Sequence, residues 1–164
     1  MRWTTAQPAF TTGLLALLLL GSTAVARAQS SGNTFINPPG LVTPTGYTHV
    51  VVAADRRTVY IAGQVAFDSS GKVVGGADFK AQGEQVYANL RRALASVGAS
   101  FADLVKTTTL ITDVKNVAVL RDIRGRYLDP THPPANTLIV ANLARPEFLL
   151  EIEGVAVLKE PFQQ

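Results

Sequence analysis

Residues Pro133–Val157 read PPANTLIVANLARPEFLLEIEGVAV, and the fold turns on how this stretch is read. Two β-rich runs, Thr137–Ala141 and Phe148–Leu158, flank a short loop holding Asn142, Arg145 and Pro146. That pattern predicts an antiparallel strand pair with a loose connection. The second run alternates. Leu149, Glu151, Glu153, Val155 and Val157 share one face, and Phe148, Leu150, Ile152, Gly154, Ala156 and Leu158 share the other. The latter face is wholly apolar and requires burial. The former begins with two carboxylates about 7 Å apart along the strand. Acids held rigidly beside apolar neighbours are costly unless something uses them. The plain alternative is a pair of solvated glutamates at a sheet edge.

A Pro134-Ala135-x-Thr137 strand followed by Glu151-Ile152-Glu153-Gly154-Val155-Ala156-Val157 resembles the C-terminal signature of the RidA/YjgF family. Upstream, GYTHVVVAADRRTVYIAGQVAFDSSGKVVG, starting at Gly46, is similar to the family's N-terminal hairpin, including Tyr47 and the Gly63-Gln64 step. The resemblance spans Gly46–Leu158. It implies a small homotrimer of chorismate-mutase-like fold whose members often hydrolyse reactive enamines and imines. It also implies roles: Tyr47 and the backbone at Gly63 line the ligand cleft, and Glu151 positions or activates the hydrolytic water.

One departure bears on substrate. Deaminating members carry an arginine after the Pro-Ala, a planar fork suited to clamping a carboxylate. Here that position is Asn136, which can hydrogen-bond but brings no charge. Arg121 matches a helix position often occupied by asparagine in the family, so the resemblance implies an exchange of the two residue types across the cleft, with Arg124 one turn on.

Outside that domain, residues 1–28 read as a secretory signal peptide. Arg2 opens it, Leu14–Leu20 is its apolar core, and Ala26-Arg27-Ala28 is a small-x-small cleavage site. The core falls short of the roughly 20 residues that span a bilayer. Cleavage after Ala28 leaves 136 residues with 13 basic against 12 acidic side chains, a net charge of +1. Nothing in that balance points to nucleic acid, and the expected destination is periplasmic or secreted, with no stable membrane association. There is no cysteine, which excludes thiolate catalysis and disulfides. His49 and His132 lie far apart with no ligand spacing around them, so neither metal nor cofactor is expected.

Residues 29–45 read as an extended arm and 46–160 as one domain. Strands are predicted over Tyr47–Ala53 and Thr58–Ala62, then a helix capped by Asp78 and closed by Gly98. Phe79, Val86, Leu90, Ala93, Leu94 and Val97 form its apolar face, with Glu84, Arg91 and Arg92 facing away. A strand follows at Leu104–Thr112, then a second helix over Val117–Leu128 capped by Asn116 or Asp113. In that helix Val117, Leu120, Ile123, Tyr127 and Leu128 share an arc that also contains Arg124, which suits a salt bridge, a subunit contact or a ligand. The order β-β-α-β-α-β-β is an α+β domain with both helices on one face of the sheet. Its other face is left uncovered, and three subunits packing those faces together are expected to bury Phe148, Leu150 and Ile152.

The functional expectation is a periplasmic imine or enamine deaminase. Glu151 directs water, while Tyr47, Gly63, Asn136 and Arg121 hold a small ligand in inter-subunit clefts. Tyr47 also suits interfacial packing, and His49 an ordinary strand position. A non-catalytic trimeric binder or holdase is the alternative. A ribonuclease lacks any His–His or His–Lys pair and any basic stripe.

Overall fold

The computed structural model describes residues 32–163, so the leader read in residues 1–28 lies outside the described residues. Six strands and two helices follow in order: β1 (Thr34–Ile36), β2 (Val50–Val52), β3 (Thr58–Gln64), α1 (Phe79–Ala95), β4 (Leu104–Ile111), α2 (Val117–Arg124), β5 (Ala135–Val140) and β6 (Leu150–Val157). The α+β order matches expectation with one strand added. The arm supplies it: Thr34, Phe35 and Ile36 pair antiparallel with Val52, Val51 and Val50.

All six strands form one sheet in the order β1-β2-β3-β6-β4-β5. β6 lies in the middle, antiparallel to β3 on one side and to β4 on the other. β5 runs parallel to β4 at the far edge. The antiparallel pairing expected between β5 and β6 is therefore incorrect. A short loop between β-rich runs looks like a hairpin locally, but the α2 crossover returns β5 alongside β4. The whole of β5 is exposed, whereas the alternating apolar side of β6 needs a central place under a helix.

The facing of the sheet also differs from expectation. Leu150, Ile152 and Ala156 point towards the helices and are buried with Val50, Val52, Val59, Ile61 and Ile111. The apolar side of β6 is thus satisfied within one protomer and is not the uncovered face. Alternation defines two faces but does not say which one α1 covers. The uncovered face carries Glu151, Glu153, Val155 and Val157, with exposed Tyr60 and a shallow groove of about 280 Å³ lined in part by Lys106 and Thr108.

The first helix forms as its sequence predicts. The Asp78 carboxylate accepts from the N–H groups of Lys80 and Ala81, satisfying two otherwise orphaned donors. Its six predicted core residues, from Phe79 to Val97, are all buried. Gly98 turns the chain away in the left-handed region at φ +72°. The second helix is shorter than predicted, ending at Arg124, and Leu128 is buried from the turn beyond. Asp113 caps the 3-10 turn Val114–Asn116 that leads into it, and the Asn116 side chain makes no capping bond. Gly83 lets the helices touch, because a Cβ there would lie 2.5 Å from Ile123 Cδ1. Glu84 does not face away: it accepts from Arg126 and, at 2.8 Å, from the Tyr127 hydroxyl, tying α1 to the end of α2.

Beyond β6 the tail is clasped by the β2–β3 turn. Arg57 donates to the carbonyls of Leu158 and Lys159 at 3.1 and 2.9 Å. Arg56 donates to the Phe162 carbonyl, and the Phe162 N–H returns a 2.7 Å bond to the Arg56 carbonyl. Arg56 itself sits at φ +61°, a left-handed conformation that costs a non-glycine residue free energy and is held here by that exchange.

Candidate active site

The site begins with a β-bulge. Ile61 pairs with Gly154 and Gln64 with Ile152, so three steps along β3 face two along β6. The extra residue bends β3 at Ala62-Gly63 and breaks the ladder beside Glu151. A Cβ on residue 63 would lie 2.8 Å from Glu151 Cδ and 3.0 Å from Cγ, with Oε1 closer still. The conflict is with the flexible end of the Glu151 side chain and not with backbone, and φ at residue 63 is not left-handed, so a larger residue here would displace the carboxylate and leave the strand in place.

Glu151 is half-buried on the uncovered face, and among the described residues its carboxylate accepts no hydrogen bond from the protein. Burial raises its pKa above the ordinary carboxyl value, and the neighbouring charge of Glu153 raises it further. Tyr47 lies close enough for the Glu151 charge to act on it. Its phenol is raised first by burial and second by Glu151, so the hydroxyl stays protonated and available as a donor. The Tyr47 ring meets the His49 ring edge-on at 5.1 Å.

His49 supports this wall. It is buried, its Nε2–H donates to the Val42 carbonyl at 2.8 Å, and Nδ1 accepts from Gln64 Nε2 at 3.3 Å. Both ring nitrogens are used in packing the arm against β3, but His49 lies just before β2 and not within the strand expected over Tyr47–Ala53. A small cavity beside them is lined in part by Tyr47, Gly63, Phe67 and Asn89.

The structure therefore brings Tyr47, Gly63 and Glu151 together in one protomer. Asn136 and Arg121 are elsewhere. Glu151 lies in the row of Leu110 and Ile139, so Asn136 is two strands over from Glu151 and a further three residues, about 10 Å, down β5. It also faces the other way, bonded to the buried Thr107 and Thr109 hydroxyls at 2.8 and 2.9 Å. Arg121 lines a groove of about 290 Å³ with Arg124, Asp129 and Pro133, three residues before Asn136. Arg124 is partly buried and its charge acts on Tyr87, whose phenol burial pushes up to about 12.

Two features escaped the sequence reading. Arg145 sits over the rings of Phe67 and Phe148 at 5.5 and 5.4 Å while pairing with Glu147 at 2.5 Å. Gln82 and Asn89 are buried on the apolar face of α1. The available signal for the second was their spacing, since both fall on the arc defined by Val86, Leu90 and Ala93.

Residues 40–158 match the family model described as Endoribonuclease L-PSP. The chain belongs to the RidA/YjgF family. Solved structures of other members agree. RidA from the Antarctic bacterium Psychrobacter is 28% identical with a TM-score of 0.68, covering 76% of this chain and 98% of its own. The Rid-family protein YyfA from Yersinia pestis is 27% identical with a TM-score of 0.71, covering 77% and 100%. YyfB from the same organism is 38% identical with a TM-score of 0.59, covering 77% and 99%.

Proposed function

We propose that this RidA/YjgF protein hydrolyses small imines, and enamines after their tautomerisation, releasing ammonia and a carbonyl compound. The observation that carries the reading is the half-buried Glu151 carboxylate, seated against Gly63 at the bulge, with its charge acting on the Tyr47 phenol. Ionised Glu151 takes a proton from water as its oxygen attacks the C=N carbon. That proton passes to nitrogen to give the neutral carbinolamine, whose hydroxyl proton Glu151 then takes and hands to nitrogen as the C–N bond breaks, leaving C=O and ammonia. A carboxyl with a raised pKa suits this, because its carboxylate is a stronger base towards water than an ordinary one and keeps the proton within the site for nitrogen. Tyr47 donates to the substrate, and the backbone at Gly63 lines the cleft.

The remaining ligand contacts come from a second protomer in this proposal. The open face, with Tyr60, Val155 and Val157, packs against copies of itself in a homotrimer. The β5 edge of a neighbour, carrying Asn136, then closes the cleft over Glu151. Asn136 brings no charge, so the preferred substrates are neutral or cationic imines, unless Arg121 with Arg124 supplies the missing cation. The chain works outside the cytoplasm after loss of residues 1–28.

The test is ammonia release by the purified chain Gln29–Gln164 from an uncharged imine. Turnover abolished in Glu151→Ala supports the hydrolase. Ligand binding unchanged in Glu151→Ala, with no turnover in either protein, favours a binder.

A further inference from the structure

The two carboxamides buried in α1 stand at residues 82 and 89, two helical turns apart and therefore about 10 Å along one face. Apolar side chains would fill those places without a hydrogen-bond requirement, so their partners explain them. Asn89 Nδ2 donates to the carbonyls of Val65 and Phe67 at 3.0 and 2.8 Å. Its Oδ1 accepts from Gln85 Nε2 at 2.9 Å and Arg92 Nη1 at 3.0 Å. The amide thus uses its full capacity of two donors and two acceptor sites, and only one orientation satisfies it. Gln82 Nε2 donates to the carbonyls of Gly76 and Glu147 at 2.6 and 2.8 Å, and Oε1 accepts from the Leu149 N–H at 3.0 Å.

These backbone groups lie just outside the sheet. Val65 and Phe67 follow the end of β3, and Glu147 and Leu149 precede the start of β6. Val65 is two residues past Gly63, and Leu149 is two residues before Glu151. We infer that Gln82 and Asn89 are positioning residues of the candidate site: through them α1 sets where the Gly63 bulge lies against the Glu151 carboxylate. The inference rests on the proposed hydrolase for its kinetic consequence but not for its geometry. Displacing a reacting group by about 1 Å costs on the order of a hundredfold in rate, so a site on two strand ends needs both ends held.

The experiment uses Asn89→Ala, Gln82→Met and the milder Arg92→Ala, with Arg91→Ala as a control on the same helix. Each folded variant is assayed for imine hydrolysis, and its Glu151 carboxyl is titrated by carbon-13 NMR. The expected result is a ten- to hundredfold fall in kcat for the first two, with KM changed less than about threefold. The Glu151 titration moves down towards the ordinary carboxyl range as the pocket loosens, Arg92→Ala shifts it less in the same direction, and the control leaves both readings at wild type. Folded variants with wild-type kcat and an unmoved Glu151 titration overturn the inference, whatever their melting temperature. If the wild type hydrolyses no imine, the function proposal fails and the titration alone decides the positioning.

Discussion

The Glu151 carboxylate fills the space in which a side chain on residue 63 would begin, so Gly63 and Glu151 form a matched pair across the β3–β6 ladder. The bulge that breaks the ladder also removes the obstruction. Geometry of this kind separates stability from activity, because the acid can swing outward towards solvent but then no longer points where it did.

Gly63→Ala should therefore fold with a stability change within about 1 kcal/mol, the displaced neighbour being a flexible side chain. Imine hydrolysis should fall by about two powers of ten. In a Glu151→Ala background the same change should do nothing further, and a double-mutant cycle on kcat/KM checks this non-additivity.

The pH dependence of stability follows from the raised pKa of Glu151, caused first by burial and then by Glu153. A carboxyl raised on folding binds its proton more tightly in the native state. Its contribution to stability is present below the unfolded carboxyl value and is lost as pH rises through the folded one. Glu151→Gln should accordingly melt higher than wild type at pH 7, by a small margin because the group is half-exposed. The gap should close below about pH 4, where both states of the wild type are protonated. Melting curves across pH 3–8 read this directly.

Substrate charge is tested at Asn136. A bidentate arginine–carboxylate contact contributes on the order of 1.5–3 kcal/mol, so its loss should weaken 2-iminocarboxylates by roughly one to two powers of ten. Wild type should prefer an uncharged imine to 2-iminopropionate, and Asn136→Arg should gain the latter. Efficient wild-type deamination of 2-iminopropionate that survives Arg121→Ala would count against both the lost clamp and its replacement.

The assembly has its own measurement. The chain Gln29–Gln164 should run as a trimer in native mass spectrometry at micromolar concentration. Tyr60→Asp and Val155→Asp, which put charge on the uncovered face, should shift it towards monomer.

The clasp of the tail should also be measurable. Deleting residues 160–164 removes the bonds that hold Arg56 at positive φ, and should cost about 1–2 kcal/mol in chemical denaturation. Arg56→Gly in the truncated chain should recover part of that loss.

Much of this was legible in the chain because local chemistry decides it. Asp78, Gly98 and the spacing from Phe79 to Val97 specify α1 without help from the rest of the molecule. The two faces of β6 were equally plain. Which face the helices cover was not, since Leu150 and Ile152 would be satisfied by a helix or by another subunit alike. The neighbours of β5 were hidden for a related reason. Pairing with β4 is set by the α2 crossover, and no residue near Thr137 records it. Tyr47, Gly63 and Glu151 were found through family resemblance, and the bulge that unites them has no local signature beyond a glycine. Gln82 and Asn89 lie on the apolar stripe of α1, and the loop carbonyls that account for them are distant in sequence and leave no local mark.

The placement of β6 between β3 and β4 has a consequence for how the domain is made. The strand at the centre of the sheet is the last one synthesised, and Gly154 meets Ile61 from 93 positions away. Contacts so distant in sequence close late, after the loop entropy between them has been overcome. Before Leu150 emerges from the ribosome, β3 and β4 have bare inner edges and α1 has no floor beneath Leu90 and Leu94. The nascent chain should stay protease-sensitive and chaperone-bound through most of its synthesis, then acquire resistance in a single late step as β6 slides into the gap.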